Sequence, residues 1–290
     1  MRNILIVENP NAGKRGSSKY TKELMEALDK AQVRYTHEVI MYKGYLEEKF
    51  DDLSNFPYTD VVSCGGDGTI NFNLNHFFEK DITFSILPAG SGNDFYKTAK
   101  GEINVDSTIR NIVNNKYRLV DVGKINDGYF INNAGFGLDS KTLEIMEKMR
   151  TVFFGNLAYQ ASALLAIAAY KPLHVRIVVD GKEYKREILL ATVCNGRYFG
   201  GGMKLSPHSE IDDGKFELLV LNKAPKKRIL GLFKLVYKGE HLEDELVEVF
   251  EGKNIELYSE KQVAYHTEGE LVGKTDLKVK LLPKALRLIV

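Results

Sequence analysis

The stretch Asp60-Val61-Val62-Ser63-Cys64-Gly65-Gly66-Asp67-Gly68-Thr69 carries the strongest indication of the fold. Its first part, 60–63, is short and apolar, as in a buried strand, and Thr69–Phe78 has the spacing of a helix. The turn between them places three glycines around one aspartate. Glycine accepts positive φ and lets a ligand approach the main chain, and a helix N-terminus attracts anions. This turn therefore favours phosphate binding over an ordinary strand–helix connection.

The sequence on both sides of this turn continues the alternation of strand and helix. Strands are predicted at Ile4–Val7, Val33–Met41 and Ile82–Leu87, with helical spacing at Tyr20–Ala31 and Tyr45–Leu53. Strands separated by helices predict right-handed βαβ crossovers and a largely parallel sheet. Such sheets bind ligands beyond the carboxyl ends of their strands. Two further polar glycine turns, at 9–16 and 88–94, follow strands and belong to that same edge.

The pattern changes after about residue 118, where short strands joined by tight turns become frequent. Helical patterns interrupt them at 138–149, 156–169 and 225–238. We therefore predict an α/β nucleotide-binding domain at 1–118 and an antiparallel β-rich, sandwich-like substrate domain at 119–290, with the active site in the gap between them. The strands predicted in the second domain are Leu119–Val122, Tyr129–Asn132, His174–Val179, Ile188–Cys194, Phe216–Leu221, Ile255–Tyr258, Val263–Thr267, Leu277–Leu282 and Leu286–Val290.

Composition excludes several classes of protein. The 290 residues are 44% hydrophobic, which can fill two cores and excludes a disordered chain. Forty basic and 39 acidic residues leave a net charge of +1, so there is no global attraction to nucleic acid. Cys64 and Cys194 lie in apolar runs and are predicted to be buried free thiols of a reducing compartment. The apolar segment Leu157–Tyr170 is shorter than a membrane span, and we predict a cytoplasmic protein.

Several nucleotide and catalytic motifs do not occur in the sequence. It contains no G-x-x-x-x-G-K-[ST], and neither Gly66-x-Gly68 nor Gly90-x-Gly92 has the third glycine of the dinucleotide fingerprint. H-E-x-x-H, C-x-x-C and G-x-S-x-G are also missing. The chain is therefore not a P-loop NTPase, and these zinc, redox and hydrolase signatures do not apply to it.

The second glycine turn, Pro88-Ala89-Gly90-Ser91-Gly92-Asn93-Asp94-Phe95, has its own chemistry. Proline ends the preceding strand, the glycines free the backbone, and Ser, Asn and Asp place oxygen atoms in a small space. The alternative for Asp94 is an N-cap of the short helix that follows. After the first strand, Asn9 and Gly13 are candidates to contact a nucleotide from the other side.

The glycine turns together resemble those of a known family. GGDGT at 65–69 with PAGSGNDF at 88–95 resembles the catalytic domain of the diacylglycerol kinase and sphingosine kinase superfamily. The whole chain is similar to the soluble bacterial diacylglycerol kinase-like lipid kinases. GGDGT alone also occurs in NAD kinases, so the other elements make the resemblance specific. These are NPNAG at 9–13, NNAGFG at 132–137, IDDGKF at 211–216 and EGE at 268–270.

The resemblance implies an ATP- and Mg²⁺-dependent kinase of a lipid hydroxyl, with diacylglycerol as the default acceptor. It implies that Asp67 and Asp94 help to organise the catalytic Mg²⁺, and that Asp213 holds a structural Mg²⁺ with main-chain oxygens near Glu210 and Lys215. For Asp213-Gly214, a two-residue hairpin turn is an equally good interpretation of the spacing. The residues implied to line the ATP site are Asn9, Gly13, Gly65, Gly66, Asp67, Gly68, Thr69, Asn71 and Ser91, with Glu270 contacting the nucleotide side.

The general base departs from the family pattern. The family's usual Asp-Gly-Glu is Glu268-Gly269-Glu270 here, so the resemblance implies Glu268 as the group that accepts the hydroxyl proton. A glutamate can perform this transfer, but its extra methylene moves the carboxylate by roughly 1.5 Å. Met41 is a second departure, because relatives carry a small hydroxyl residue there. Two alternatives follow, an NAD kinase-like small-molecule kinase and a catalytically silent nucleotide- or lipid-binding regulator.

A lipid kinase must meet its substrate at a membrane, so we expect transient peripheral contact with the inner face of the membrane. Residues 222–239 contain six Lys or Arg and no acid, with an apolar stripe at Ile229, Leu232, Phe233 and Val236. This pattern is typical of a helix on anionic lipid or, equally, of a helix packed on a sheet with a solvated basic face. Helix 156–169 is apolar nearly all round and is predicted to be buried core, or one wall of an acyl-chain cleft. An edge strand of either sheet could also pair two copies.

Overall fold

The computed structural model describes residues 2–13, 18–42, 44–149 and 156–290. Part of the first glycine turn, 14–16, therefore lies outside the described residues. The chain divides into two compact units, Met1–Val120 with Lys284–Val290 and Asp121–Pro283. The sequence predicts a single domain boundary after residue 118. In the structure the chain returns to the first unit for its last seven residues, 284–290. The reason is that Arg287–Ile289 pair in parallel with Thr83–Ser85.

The first unit is a parallel sheet with helices between its strands. Its strands lie in the order β2–β1–β3–β4, and the end of the last strand of the chain pairs with β4. Every pairing in this sheet is parallel, as the alternation of strands and helices predicts. The elements are β1 (Asn3–Glu8), α1 (Ser18–Lys30), β2 (Arg34–Val39), α2 (Tyr45–Lys49), β3 (Asp60–Gly65), α3 (Asp67–Phe77), β4 (Thr83–Pro88), α4 (Asp94–Lys100) and α5 (Val105–Val113).

Alternate residues of the central strands build the core of this unit. Ile4 and Ile6 of β1 and Val62 and Cys64 of β3 lie in one cluster with apolar residues of α1 and α5. This is the period of two that a strand imposes on its side chains. Helix α5 was not predicted from the sequence, although it has a local signal, because the side chain of Asn104 accepts a hydrogen bond from the N–H of Ser107 as an N-cap does.

Both cysteines are buried free thiols, which confirms the prediction. Burial raises the pKa of the Cys64 thiol to about 12, and burial also raises the pKa of Cys194. A protonated thiol is a weak nucleophile. Neither cysteine is therefore a candidate for covalent catalysis.

The second unit is built from antiparallel strands and three longer helices. The central β9 pairs with β8 through its first half and with β7 and β10 through its second half. Its elements are β5 (Arg118–Ile125, beginning in the first unit), β6 (Gly128–Phe130), β7 (Asn133–Gly137), α6 (Leu138–Met149), α7 (Asn156–Ala169), β8 (Leu173–Val179), β9 (Lys182–Cys194), β10 (Phe216–Asn222), α8 (Lys226–Val236), a 3-10 turn (Glu240–Glu243), β11 (Val247–Gly252), β12 (Asn254–Ser259), β13 (Ala264–Thr267), β14 (Glu270–Lys274) and β15 (Leu277–Ile289).

The strand pattern of the second unit differs from the prediction in four places. Strands β7, β11 and β14 were not predicted, and the two strands predicted at the C-terminus are one strand, β15. The two ends of β15 nevertheless pair with different strands. Residues 277–280 pair antiparallel with 254–257 of β12, and residues 287–289 pair in parallel with β4. Three of the five residues of β14 are glutamate, glycine or lysine, and its residues are largely exposed. An exposed edge strand of this kind lacks the alternation of apolar and polar residues from which a strand is predicted.

Helices α7 and α8 differ from their predicted environments. Helix α7 is not buried all round, because Leu164 and Leu165 are 49% and 50% exposed while Ala166 and Ile167 are buried. In α8, Ile229 and Leu232 are buried in one cluster with residues of α7. Ile229 and Leu232 of the apolar stripe are therefore core, as in a helix packed on the fold, while contact of α8 with anionic lipid stays a prediction. Among the described residues, no helix is long and apolar enough to cross a membrane.

Candidate functional site

Three glycine turns meet at the carboxyl edge of the first sheet. The N–H of Asn9 donates to the carbonyl of Cys64 at 3.0 Å, and the N–H of Ala89 donates to the carbonyl of Gly65 at 2.9 Å. The amide of Asn9 also donates to the hydroxyl of Thr69 at 3.0 Å. The turns after β1, β3 and β4 are thus joined to each other directly.

The glycines at this junction leave no room for a side chain. A Cβ on Gly90 would lie 2.4 Å from the Cα of Gly66, and a Cβ on Gly13 would lie 2.2 Å from the carbonyl oxygen of Ala89. Gly13 also has a φ of +67°, a conformation that other residues adopt rarely. Contacts this short are essentially never made by real side chains. Glycine is required here because main chain approaches main chain, which gathers amide groups at one place.

Asp67 connects two of these turns. Its carboxylate oxygens accept the N–H groups of Asp94 and Phe95 at 3.1 and 3.2 Å, so it satisfies the first N–H groups of α4. Desolvation by burial raises the pKa of Asp67, against the lowering effect of these two main-chain hydrogen bonds. Asp67 is therefore a positioning residue for the 88–94 turn in this structure. Its predicted part in organising Mg²⁺ stays a prediction.

Asn93, which the sequence analysis did not single out, is the N-cap of α4 in place of Asp94. Its backbone is left-handed, with φ 51°, and its side-chain amide bonds the main chain of Gly90 in both directions at 2.9 Å. Asp94 is buried in the first turn of α4, with the ammonium of Lys97 3.8 Å away. Asparagine is among the residues most tolerant of left-handed backbone, and this preference was the available signal.

The N-terminus of α3 is the best anion-binding feature of the first unit. Gly66 is its N-cap, and no side chain caps it within the part of the chain that the structure describes. The uncapped N–H groups and the helix dipole favour a negative ligand. Of the predicted ATP-site residues, Gly65–Thr69, Asn9 and Gly13 converge here, Asn71 follows in the second turn of α3, and Ser91 is exposed in the neighbouring turn.

Replacing Asp67 by asparagine is expected to lower the free energy of unfolding by about 1–3 kcal/mol, because one main-chain N–H of α4 would then face an NH₂ group. We also expect weaker nucleotide binding, since the 88–94 turn loses its anchor. Urea denaturation and nucleotide titration measure these two effects. The exposed Asp127→Asn is the matched control, with a change within about 0.5 kcal/mol. Equal stability of the two variants would contradict the anchoring role.

Glu268 lies in a tight turn of the second unit between β13 and β14. Glu268 and Gly269 both have positive φ, 54° and 80°, as in a type I′ hairpin. One carboxylate oxygen of Glu268 accepts the N–H groups of both Ile131 and Asn132 at 2.7 Å, and its own N–H donates to the carbonyl of Asn133 at 2.9 Å. The sequence predicts residues 131 and 132 as part of a strand. Their N–H groups instead bond the side chain of Glu268, and not the main chain of a neighbouring strand.

Buried asparagines surround this turn, and sequence reasoning did not select them. The side-chain oxygens of Asn132, Asn133 and Asn195 are buried and accept no hydrogen bond from the described residues. The amide of Asn195 donates to the carbonyls of Ile131 and Asp121 at 2.7 and 3.3 Å. Oxygens of this kind are usually satisfied by ordered water or a bound group. The NNAGFG motif at 132–137 was the one available signal.

A second polar cluster lies beneath β13. His266 is fully buried and its Nε2 is 3.0 Å from Asp139, whose same oxygen accepts the hydroxyl of Thr192 at 2.7 Å. The ring of Phe199 stacks on His266 with 5.2 Å between centroids. Because His266 comes two residues before Glu268, this cluster fixes the strand that leads into the turn. Asp139, Thr192 and His266 are far apart in sequence, so no local sequence motif predicts this cluster.

The predicted structural metal site is at the turn after residue 211. Asp213 accepts the N–H of Lys215 at 3.2 Å, and Asp121 accepts the N–H of Gly214 at 2.7 Å. Partial burial raises the pKa of Asp213, and the negative charges of Asp121 and Glu210 raise it further. The hydrogen bond from the N–H of Lys215 and the positive charge of its side chain lower this pKa, but they do not cancel the rise. Several carboxylates around one turn suit a hard cation such as Mg²⁺.

Side chains alone do not complete a metal site. Over the described ranges, no three His, Cys, Asp or Glu side chains lie close enough to hold an ion. The side chain of Lys215 is an ammonium that bonds Glu251. Main-chain oxygens near Glu210 and Lys215 would therefore have to complete the ligands around Asp213, and this part of the sequence analysis stays a prediction. Glu270, the last predicted residue, is exposed at the start of β14.

Comparison with known proteins identifies both units. Residues 3–125 match the family of the diacylglycerol kinase catalytic domain, and residues 132–290 match the family described as the YegS C-terminal NAD kinase beta sandwich-like domain. The diacylglycerol kinase of Bacillus subtilis (strain 168) is 27% identical over 278 residues, covering 94% of this chain and 91% of that protein. The diacylglycerol kinase of Staphylococcus carnosus (strain TM300) is 27% identical over 272 residues, covering 93% and 89%.

A solved structure has the same fold. The crystal structure of a diacylglycerol kinase from Bacillus anthracis str. Sterne superposes with a TM-score of 0.78 at 24% sequence identity, covering 99% of this chain and 96% of that one. The predicted class, an α/β domain followed by an antiparallel β-rich domain, is confirmed. The two family matches together span nearly the whole chain, and this protein belongs to the diacylglycerol kinase-like family of bacterial lipid kinases.

Proposed function

We propose that this chain phosphorylates a lipid hydroxyl with ATP and Mg²⁺, and that diacylglycerol is the acceptor. The observation that carries the proposal is the junction of the three glycine turns at the carboxyl edge of a parallel sheet. A side chain at Gly13 or Gly90 would separate turns whose main chains are in contact. Main-chain N–H groups gathered in this way, beside an uncapped helix, suit a triphosphate.

A protein catalyses phosphoryl transfer mainly by aligning the reacting groups and by stabilising the charge on the transferred phosphoryl group. We propose that the α3 N-terminus and the turn at 88–94 hold the phosphates, while Asp67 keeps that turn in place. Mg²⁺, when bound, would neutralise charge on the transferred phosphoryl group. Asp94 is the nearby second carboxylate that could share in holding it.

Glu268 is the proposed general base that accepts the proton of the lipid hydroxyl. The N–H groups of Ile131 and Asn132 donate to one oxygen of its carboxylate. These two hydrogen bonds fix the direction of the side chain, because a carboxylate held at one oxygen has little rotational freedom. Glu270 on the same hairpin is the proposed contact to the nucleotide side.

The acceptor is tested by supplying alternatives separately. Purified protein is incubated with ³²P-labelled ATP and Mg²⁺ and with diacylglycerol, a long-chain alcohol or NAD. We expect label in the diacylglycerol product, and loss of labelling when EDTA replaces Mg²⁺. Label in NAD would replace the lipid acceptor with the NAD kinase-like alternative, and label in the alcohol alone would overturn diacylglycerol as the acceptor.

A further inference from the structure

The hairpin that carries Glu268 is attached to its sheet over a short length. Strand β13 has four residues, and three of them, 265–267, pair with β7. The other strand of the hairpin, β14, lies at the end of the strand order beside β13 and is largely exposed. The pairing of β13 with β14 also shifts register between Tyr265 and His266. Main-chain pairing therefore gives few contacts that could set the position of Glu268.

The side chain of His266 provides a further attachment. It is fully buried, and its Nε2 lies 3.0 Å from Oδ2 of Asp139, in the first turn of α6. Because a carboxylate oxygen accepts, Nε2 is the donor. The same Oδ2 accepts the hydroxyl of Thr192 at 2.7 Å, and Oδ1 accepts the N–H of Ser140 at 2.7 Å. Asp139 is thus held by α6 and β9, and it offers His266 a fixed partner outside the hairpin.

The sheet places the two donors of Asp139 in one row. His266 is paired with Gly135 of β7, and Gly135 is paired with Thr192 of β9. Residues paired across a sheet direct their side chains to the same face. A Cβ on Gly135 would lie 2.8 Å from the hydroxyl oxygen of Thr192. A larger residue in the middle of the row would therefore displace the hydroxyl that bonds Asp139.

Phe199 connects the ring of His266 to the turn of the hairpin. The two rings stack with 5.2 Å between their centroids and 13° between their planes. The ring of Phe199 also lies close to Gly269, since a Cβ on that glycine would be 3.5 Å from it. Movement of the His266 ring would therefore reach Glu268 by two routes, along two residues of β13 and through Phe199.

We propose that His266 is a positioning residue for phosphoryl transfer, whose hydrogen bond to Asp139 sets the place from which the carboxylate of Glu268 meets the lipid hydroxyl. The inference rests on the proposed function and adds the side chain through which the fold holds the base. The Nδ1 of His266 is buried and has no hydrogen-bond partner among the described residues, so Asp139 is the polar contact that orients the ring. A displacement of about 1 Å at a reacting group can lower a rate by about 10²-fold.

The first test removes the donor and keeps a ring that can stack on Phe199. In His266→Phe we expect kcat for diacylglycerol to fall by about 10–100-fold, with ATP affinity within about twofold of the unchanged protein. His266→Gln is the conservative variant, because its amide nitrogen is as many bonds from Cα as Nε2 is and can still donate to Asp139. It should recover most of kcat. An unchanged kcat in His266→Phe, or a glutamine variant no more active than it, would overturn the proposal. Should His266→Phe not fold, His266→Asn, whose amide is too short to reach Asp139, takes its place.

His241 provides a matched control in the 3-10 turn after α8. It is buried, its Nε2 bonds the carbonyl of Leu205 at 3.0 Å, and its Nδ1 has no partner within the described ranges. His241→Phe therefore removes the same kind of hydrogen bond from the same kind of environment. We expect both phenylalanine variants to lower Tm to a similar extent, and only His266→Phe to lower kcat. An equal fall of kcat in the two variants would assign the effect to lost stability and would reject the positioning role.

A double-mutant cycle tests whether His266 acts through the base. In the Glu268→Gln background, His266→Phe should change kcat by less than about twofold, because the group that it positions has already lost its charge. A further fall as large as that in the unchanged protein would show that His266 acts independently of Glu268, against the proposal.

Hydrogen exchange separates a failure of this inference from a failure of the proposed function, because it needs no turnover. The amides of Ile131 and Asn132 donate to Glu268, so in His266→Phe they should exchange at least about tenfold faster, and in His241→Phe at the unchanged rate. Unchanged exchange at both amides in His266→Phe overturns the positioning role. If the unchanged protein phosphorylates no lipid, the proposed function fails, and the exchange rates alone decide whether His266 holds Glu268 in place.

Discussion

Replacing Glu268 by glutamine is expected to reduce lipid phosphorylation by about 10²–10⁴-fold while nucleotide affinity changes by less than about twofold. Glutamine has nearly the same shape, and its oxygen can still accept the N–H groups of Ile131 and Asn132. What it loses is the negative charge that accepts a proton. Single-turnover phosphorylation and nucleotide titration measure the two quantities separately.

The complementary variant is Glu268→Asp, which keeps the charge and shortens the reach. Aspartate tolerates the left-handed backbone of this turn better than glutamate does, so the hairpin itself should not suffer. If Glu268 is the base, the aspartate variant stays much more active than the glutamine variant. If Glu268 only braces residues 131 and 132, the order reverses, because glutamine retains those hydrogen bonds and aspartate is too short for them. The reversed order would contradict the proposed base.

The second large effect is expected at Gly90. In Gly90→Ala the new Cβ would lie 2.4 Å from the Cα of Gly66, and both atoms belong to the main-chain junction, so neither can turn away as a flexible side chain could. We expect a loss of at least about 1–3 kcal/mol of unfolding free energy and at least about tenfold weaker ATP binding, because the turns must separate. Thermal unfolding and nucleotide titration provide the measurements.

Two other glycine variants make this result interpretable. Gly66→Ala places its Cβ 3.1 Å from Gly90, a milder contact, so it should fold even where Gly90→Ala does not and should still weaken ATP binding. Gly231→Ala, inside α8 with no atom within 4 Å of the new Cβ, should stabilise the protein by about 0.5–1 kcal/mol and leave ATP binding unchanged. Normal ATP binding by both Gly66→Ala and Gly90→Ala would remove the glycine junction from the nucleotide site.

The sequence predicted the helices and strands best where their pattern is regular and amphipathic. The parallel sheet of the first unit was predicted because each strand is a short apolar run between helical patterns. The edge strand β14 was not predicted, because its residues are largely exposed. Residues 131 and 132 were wrongly predicted as strand, because their N–H groups bond the distant side chain of Glu268. For the site, the glycine turns were recognisable because turn chemistry depends on neighbouring residues along the chain.

The roles of single side chains could not be predicted in this way. Asp67 bonds residues 27 and 28 positions later, and Glu268 bonds main chain 136 and 137 positions earlier. The partners of His266 and the exposure of Leu164 likewise depend on which elements pack together. By itself the sequence determined the two-part fold, the glycine turns and the kinase family, because these are encoded in short-range periodicity and local motifs. Only the tertiary structure decided which groups meet each carboxylate and which leucines face solvent, because burial and hydrogen bonding are set by contacts between distant parts of the chain.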